Sequence, residues 1–370
     1  MLTAFDDFPL HQTGQPIAHT ASGDPNHYDR YFFNGYDAAG SLYFAAAMGL
    51  YPNRYVVDAA FSVVVLGADG IRRQSSVFAS ARAPKDRRHA TTVGPVAVLV
   101  EEPLRRLRIT VDAPEQGLRA EVTFVHRTAA LEEPHFLWRR GTHLIFDYTR
   151  LTQWGTWSGW IEVDGVRHAV DATQVMGTRD RSWGVRPVGE RPPGSPASFD
   201  QFYWLWAPVN FDDGCLHFDV NEYADGHAWH GSGFVVPLGD GEPEQAVRAE
   251  YDLRWQPGTR HADAFELRLH RSGGAVTTAR FEPIFHFPML GIGYGHPEWR
   301  HGGDKGERAV GGQRWELPLA DALAPQHVHV QTLCRVTRHD GAVGTGILET
   351  LAIGPHEPTA LTGMLDGAPG

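Results

Sequence analysis

Residues 177–187 read Gly177-Thr178-Arg179-Asp180-Arg181-Ser182-Trp183-Gly184-Val185-Arg186-Pro187. Charges, hydroxyls and an indole crowd between two glycines, an odd composition for plain surface, because an indole favours burial and charges resist it. Read as a strand, the segment alternates its side chains. Thr178, Asp180 and Ser182 then share one face, and Arg179, Arg181 and Trp183 share the other. The first face presents a lone carboxyl, and the second suits arginine pairing and packing. The plainer alternative pairs Asp180 with a nearby arginine, so that it braces two sheets.

The same texture extends in both directions. Upstream, Gln153 to Val163 carries Trp154, Trp157 and Trp160, and Asp164-Gly165 then turns the chain toward the opening segment. Trp154 and Trp160 share one strand parity and Trp157 has the other. Tyr55 to Leu66 is rich in β-branched residues, and Asp69-Gly70 is a hairpin signal that returns the chain along Arg72 to Ala79. Residues 129–141 are expected to include a helical turn. Residues 1–35, interrupted by Gly14, Pro16, Gly23 and Pro25, are expected to be irregular, with Tyr28, Tyr31, Phe32 and Phe33 lying across the main body. Downstream, residues 191–198 read as a linker rich in proline and glycine. Phe199 to Val209, Cys215 to Tyr223 and His227 to Leu238 then form a meander with turns at Asp213-Gly214 and Asp225-Gly226. A chain of 370 residues suits two domains. The expected organisation is an irregular segment 1–35, a β domain 36–190, the linker 191–198 and a second β domain 199–370. Short strands at close spacing belong to antiparallel barrels or sandwiches, not to βαβ units.

The run Arg179-Asp180-Arg181-Ser182-Trp183-Gly184 resembles the His-Asp-His-Asn-Trp-Gly stretch of the bacterial carotenoid 1,2-hydratases and related lipocalin-like proteins. That group includes fungal cyclase and Diels–Alderase relatives. Asp180, Trp183 and Gly184 match. Arg179 and Arg181 stand where the family has histidine, and Ser182 stands where it has asparagine. Trp204-Leu205-Trp206 and Asp213-Gly214 fit the same resemblance. It implies an all-β fold of two lipocalin-like (calycin) antiparallel barrel or sandwich domains. It also implies an aspartate that protonates an alkene, a role that only Asp180 inherits by motif.

Composition narrows the function. A formal net charge of −11 argues against nucleic-acid or anionic-membrane partners, which need a basic face. No run approaches the roughly 20 apolar residues of a membrane span. The start, Met1 to Phe8, lacks the pattern of a signal peptide, and two cysteines in apolar runs suit a reducing cytoplasm. His217 with Asp219, and His327 with His329, have strand parity for metal ligation, but no His-Glu-x-x-His or Cys-x-x-Cys signature accompanies them. The Gly291, Gly293, Gly295 run lacks the strand–helix context of a nucleotide site. No metal and no cofactor are therefore expected.

The expected chemistry is acid–base catalysis on a hydrophobic, isoprenoid-like small molecule: hydration, dehydration, isomerisation or cyclisation. Asp180 is the proton donor, and His217 or Asp219 is the partner base. Trp154, Trp157, Trp183, Trp204, Trp206, Tyr223 and Tyr294 are the candidate substrate walls, since indole and phenol faces stabilise a cation. The alternative is a carrier of the same fold that holds a lipid or terpenoid without turnover. It needs the aromatic walls but not an ionisable Asp180.

Overall fold

The computed structural model describes residues 2–8, 20, 22–83, 91–188 and 200–370, and its regular structure is strand apart from five short 3-10 turns. The expected linker 191–198 lies outside the described residues. Two compact units emerge: Met1–Asp37, Ser41–Ser195 and Gly291–Trp315 form unit 1, and Ala38–Gly40, Pro196–Leu290 and Glu316–Gly370 form unit 2. Among the described residues, each unit is built on one antiparallel sheet, of 14 strands in unit 1 and 10 in unit 2.

In unit 1 the opening segment is the strand Val175–Val185, held between His27–Asp37 and His143–Val163. The strand His27–Asp37 falls largely within the segment expected to be irregular. Its first ten residues are all buried, so it shows none of the in–out alternation by which a half-buried strand is read. Residues 129–141 hold the strands Leu131–Glu132 and Phe136–Arg140 rather than a helical turn, both paired to His143–Val163. The expected hairpin at Asp69-Gly70 joins Val56–Leu66 to Arg72–Arg82.

One face of this sheet encloses the core, which includes Tyr31, Phe33, Phe44, Phe61, Val77, Val96, Ile109, Phe124 and Trp157. The sheet curls enough for distant strands to meet, since a Cβ added at Gly94 would lie 3.1 Å from the Ala79 Cβ. Residues 291–315 return to this unit although they fall inside the expected second domain: the strand Arg308–Leu317 lies beside Arg72–Arg82.

Unit 2 contains the expected meander, with Val209–Phe211, Gly214–Glu222 and Ala228–Pro237 joined by tight turns. Its core takes Tyr203, Leu205, Phe218, Val220, Phe265, Phe281, Val336 and Leu348. By strand alternation the opposite face carries Trp204, Trp206, His217 and Asp219. Cys215 and Cys334 are buried free thiols. Among the described residues, no helix is long and apolar enough to cross a membrane.

Candidate active site

The two faces of the strand Val175–Val185 divide as alternation requires. On the core side Arg179 donates from Nη1 to Asp7 Oδ1 at 2.6 Å and from Nε to Gln153 Oε1 at 2.8 Å. Arg181 pairs with Asp29 at 2.6 Å, donates to the Asp6 carbonyl at 3.0 Å and lies 3.8 Å over the Tyr31 ring. All four charged groups are essentially free of solvent. Buried cations with matched carboxylates fix the strand rigidly, because loss of either partner strands a charge in low dielectric.

Asp180 points the other way, flanked across the sheet by Phe32 and Thr152. It is only partly buried, between two fully buried arginines. Its face continues through Tyr28 and Arg30 on one neighbouring strand and Tyr148, Arg150, Thr152 and Trp154 on the other. Arg150 and Thr152 both donate to the buried Glu133 carboxylate, at 2.7 Å from Arg150 Nε and 2.6 Å from Thr152 Oγ1.

Beside this face lies a linked polar group that the sequence reading missed. Arg30 donates to the Tyr51 hydroxyl at 2.9 Å and stands 3.6 Å from Asp58. Its other terminal nitrogen is 2.7 Å from His301 Nε2, which is also 2.9 Å from the Ile292 carbonyl. A guanidinium only donates and a carbonyl only accepts, so His301 Nε2 can bond to one of the two and the tautomer decides which. Asp58 accepts from the Gly302 N–H at 2.7 Å and from the Tyr51 hydroxyl at 3.3 Å. Burial pushes the Asp58 carboxyl up, and Arg30, Gly302 and Tyr51 only partly offset it. A narrow cleft between Arg30, Asp58, Phe78, Trp299, His301 and Lys305 has room for about one water, at 10 Å³.

Tyr294 stands at the rim of this group. Its ring meets His301 edge-on at 4.3 Å, with Arg30 5.3 Å and Arg186 5.8 Å from its centroid. Arg186 also lies 4.6 Å over the Tyr28 ring. Tyr28 meets Tyr148 edge-on at 6.2 Å, and Tyr148 stacks on Phe136 at 4.4 Å. Burial pushes the Tyr28 phenol up to about 12 and raises the Tyr148 phenol well above its usual range, so both are protonated donors at neutral pH.

Unit 2 carries a second polar group on the face away from its core. Asp219 accepts from His230 Nε2 at 2.9 Å and from the Ser232 hydroxyl, with His217 Nε2 3.5 Å away. Burial alone would raise the Asp219 carboxyl, but His230 and His217 outweigh it and hold it well below the usual carboxylate range. Asp219 is thus an ionised acceptor that orients a histidine, the arrangement of a base rather than an acid. Glu349 is saturated by Trp204 Nε1 at 3.2 Å, His329 Nε2 at 2.8 Å and Gln331 Nε2 at 2.6 Å.

The predicted site residues belong to both units. Asp180, Trp154 and Tyr294 belong to unit 1, and Asp180 and Trp154 share a sheet face. His217, Asp219, Trp204 and Trp206 share a face of unit 2, with Trp206 directly opposite Asp219. Trp157 is in the unit 1 core, boxed by Phe33, Phe44 and Phe124 at 5.1–5.9 Å, with its Nε1 donating to the Asn34 carbonyl at 2.8 Å. Trp183 is partly buried opposite Asp29, and Tyr223 sits at the end of its strand, 39% exposed. Asp58 did leave a sequence signal, being the one charge in the otherwise largely apolar strand Val56–Leu66.

Solved structures of similar fold support this architecture. An AttH candidate from Nitrosomonas europaea superposes with a TM-score of 0.54 at 14% identity, covering 88% of this chain and 92% of that one. Kievitone hydratase from Nectria haematococca gives a TM-score of 0.54 at 13% identity, covering 87% and 88%. Likeness at such identity concerns the fold, which is all-β, antiparallel and lipocalin-like. No curated protein matches the chain in sequence. The family of unknown function DUF8625 matches residues 2–362, almost the entire length, and the chain belongs to that family.

Proposed function

We propose that the protein is a cofactor-independent enzyme of the hydratase, dehydratase or cyclase type, acting by acid–base chemistry on a small hydrophobic molecule with Asp180 as the proton donor. One observation carries the reading: Asp180 is the accessible carboxyl on a strand whose reverse face is immobilised by two buried ion pairs. An acid that must meet an alkene carbon needs both a fixed position and an open approach. Trp154 and Tyr28 on the same face supply π density for a cationic intermediate. That kievitone hydratase has a similar fold supports a hydratase-type reaction. The Asp219–His230 pair adds a base to the chain's inventory.

The test works without an identified substrate. Lipids extracted from the purified protein, and a panel of isoprenoid alkenes and alcohols, are incubated with it in heavy-oxygen water or in deuterium oxide. Label incorporation is read by mass spectrometry. Wild type is expected to incorporate label, and Asp180→Asn to lose at least about 100-fold in rate, the usual contribution of a general acid. Wild-type turnover by Asp180→Asn would remove Asp180 from the chemistry. Recovery of a bound lipid without incorporation would favour the carrier.

A further inference from the structure

We propose that Arg186, with the hydroxyls of Tyr28 and Tyr148, is a carboxylate-binding site, and that the molecule held there is an acid with an aryl or alkenyl body. The argument begins with a charge count. Arg30 and Arg186 both approach the Tyr294 ring, but Asp58 reaches only Arg30, at 3.6 Å. Among the described residues Arg186 forms no salt bridge, and its Nε is buried without a hydrogen-bond partner. Its strongest ionisable neighbours are phenols, Tyr294, Tyr28, Tyr148 and Tyr51. A guanidinium held among neutral phenols leaves one positive charge uncompensated, and π faces offset only part of its desolvation.

The donors around it are unspent. The Tyr28 ring is fully buried, and its hydroxyl, although beside Ser182, makes no hydrogen bond of ordinary geometry. The Tyr148 hydroxyl has no hydrogen bond among the described residues either, but unlike that of Tyr28 it is open to solvent. One cation with two phenol donors matches a monoanionic carboxylate; a phosphate dianion calls for more positive charge. The body of the ligand follows from what adjoins Tyr148. Phe136 stacks on it at 4.4 Å, Phe146 meets it edge-on at 5.8 Å, and Trp138 stacks on Phe146 at 5.7 Å. That aromatic row suits a flat unsaturated group.

The site deepens the proposed function, because Tyr28 feels the charge of Asp180 and the two share a sheet face. For its meaning in turnover it rests on that reading, so it is tested by binding rather than activity. Calorimetry would compare trans-cinnamate and 2-naphthoate with cinnamyl alcohol and 2-naphthalenemethanol. The proteins are wild type, Arg186→Gln, Arg186→Lys and Tyr148→Phe, each first checked for an unchanged melting temperature. Wild type is expected to bind the acids at least ~10-fold more tightly than the alcohols. Arg186→Gln should erase that preference, Arg186→Lys should keep part of it, and Tyr148→Phe should weaken only the acids, several-fold. Tyr148→Phe keeps the ring and its packing, so it serves if Arg186→Gln does not fold. Equal affinity for acids and alcohols, a preference that survives Arg186→Gln, or no binding of any probe would overturn the site. An intact acid preference with an active Asp180→Asn would instead remove only the acid role. A lost preference with an inactive Asp180→Asn would remove only this site.

Discussion

The side chains of 177–187 show how much one stretch can state. Alternation alone separates Asp180 from Arg179 and Arg181, and the structure keeps that separation. It could not state the partners: Asp7 and Gln153 for Arg179, Asp29 for Arg181. Asp7 lies over 170 residues away in the chain, in a segment with no period to read. The Asp7–Arg179 pair is fully buried, and Asp7 Oδ2 also accepts from the Leu104 N–H. Asp7→Ala therefore leaves a buried guanidinium and an amide unmatched. It is expected to cost about 3–5 kcal/mol in urea denaturation, whereas Asp7→Leu combined with Arg179→Met should recover most of that. A single-variant loss under about 1 kcal/mol would mean that water reaches Arg179.

At the scale of elements, strands joined by a Gly-bearing turn were legible: Val56–Leu66 with Arg72–Arg82, and the meander of residues 209–237. The strand that follows the Gly- and Pro-interrupted start of the chain was not. His27–Asp37 carries Tyr31 and Phe33 toward the core and Tyr28, Arg30 and Asn34 toward the candidate site, so its composition imitates an aromatic loop. Arg30 was missed because its role depends on Tyr51, Asp58 and His301, which reach it from other elements. Close strand contact is also set by glycine. A Cβ at Gly177 would stand 2.0 Å from the Asn34 carbonyl oxygen and 2.6 Å from Trp157 Nε1. The first neighbour is backbone of the adjoining strand and cannot rotate away, and the second makes a hydrogen bond to that same carbonyl. Gly177→Ala is expected to lower stability by about 3 kcal/mol, as a shift in the urea midpoint, by prising the two strands apart. Gly165→Ala, where the added Cβ meets nothing within 4 Å, carries only the strain of its φ of +80° and is the control.

For the whole molecule, the boundary expected near residues 191–198 misses a topological fact. Unit 1 draws Gly291–Trp315 from beyond that point. Those residues supply Tyr294 and His301, the Gly302 N–H that binds Asp58, and the strand Arg308–Leu317 beside Arg72–Arg82. They also supply Arg314, which holds Asp164 through two bonds, at 2.7 Å and 2.5 Å. No local signal in the sequence marks this return, because a strand's address depends on partners more than 200 residues away. A fragment of residues 1–195 would therefore lack the cover of its own polar group. Arg30 would lose His301, Asp58 would lose an amide donor, and the edge of Arg72–Arg82 would stand open to pair with another chain. The fragment is expected to aggregate or to melt well below the full chain in size-exclusion and calorimetric runs. Adding residues 291–317 through a flexible Gly/Ser linker should restore a soluble monomer by returning the missing strand and the Asp58 donor together. A fragment 1–195 that is monomeric and melts like the full chain would show that the returning segment decorates the unit rather than completing it.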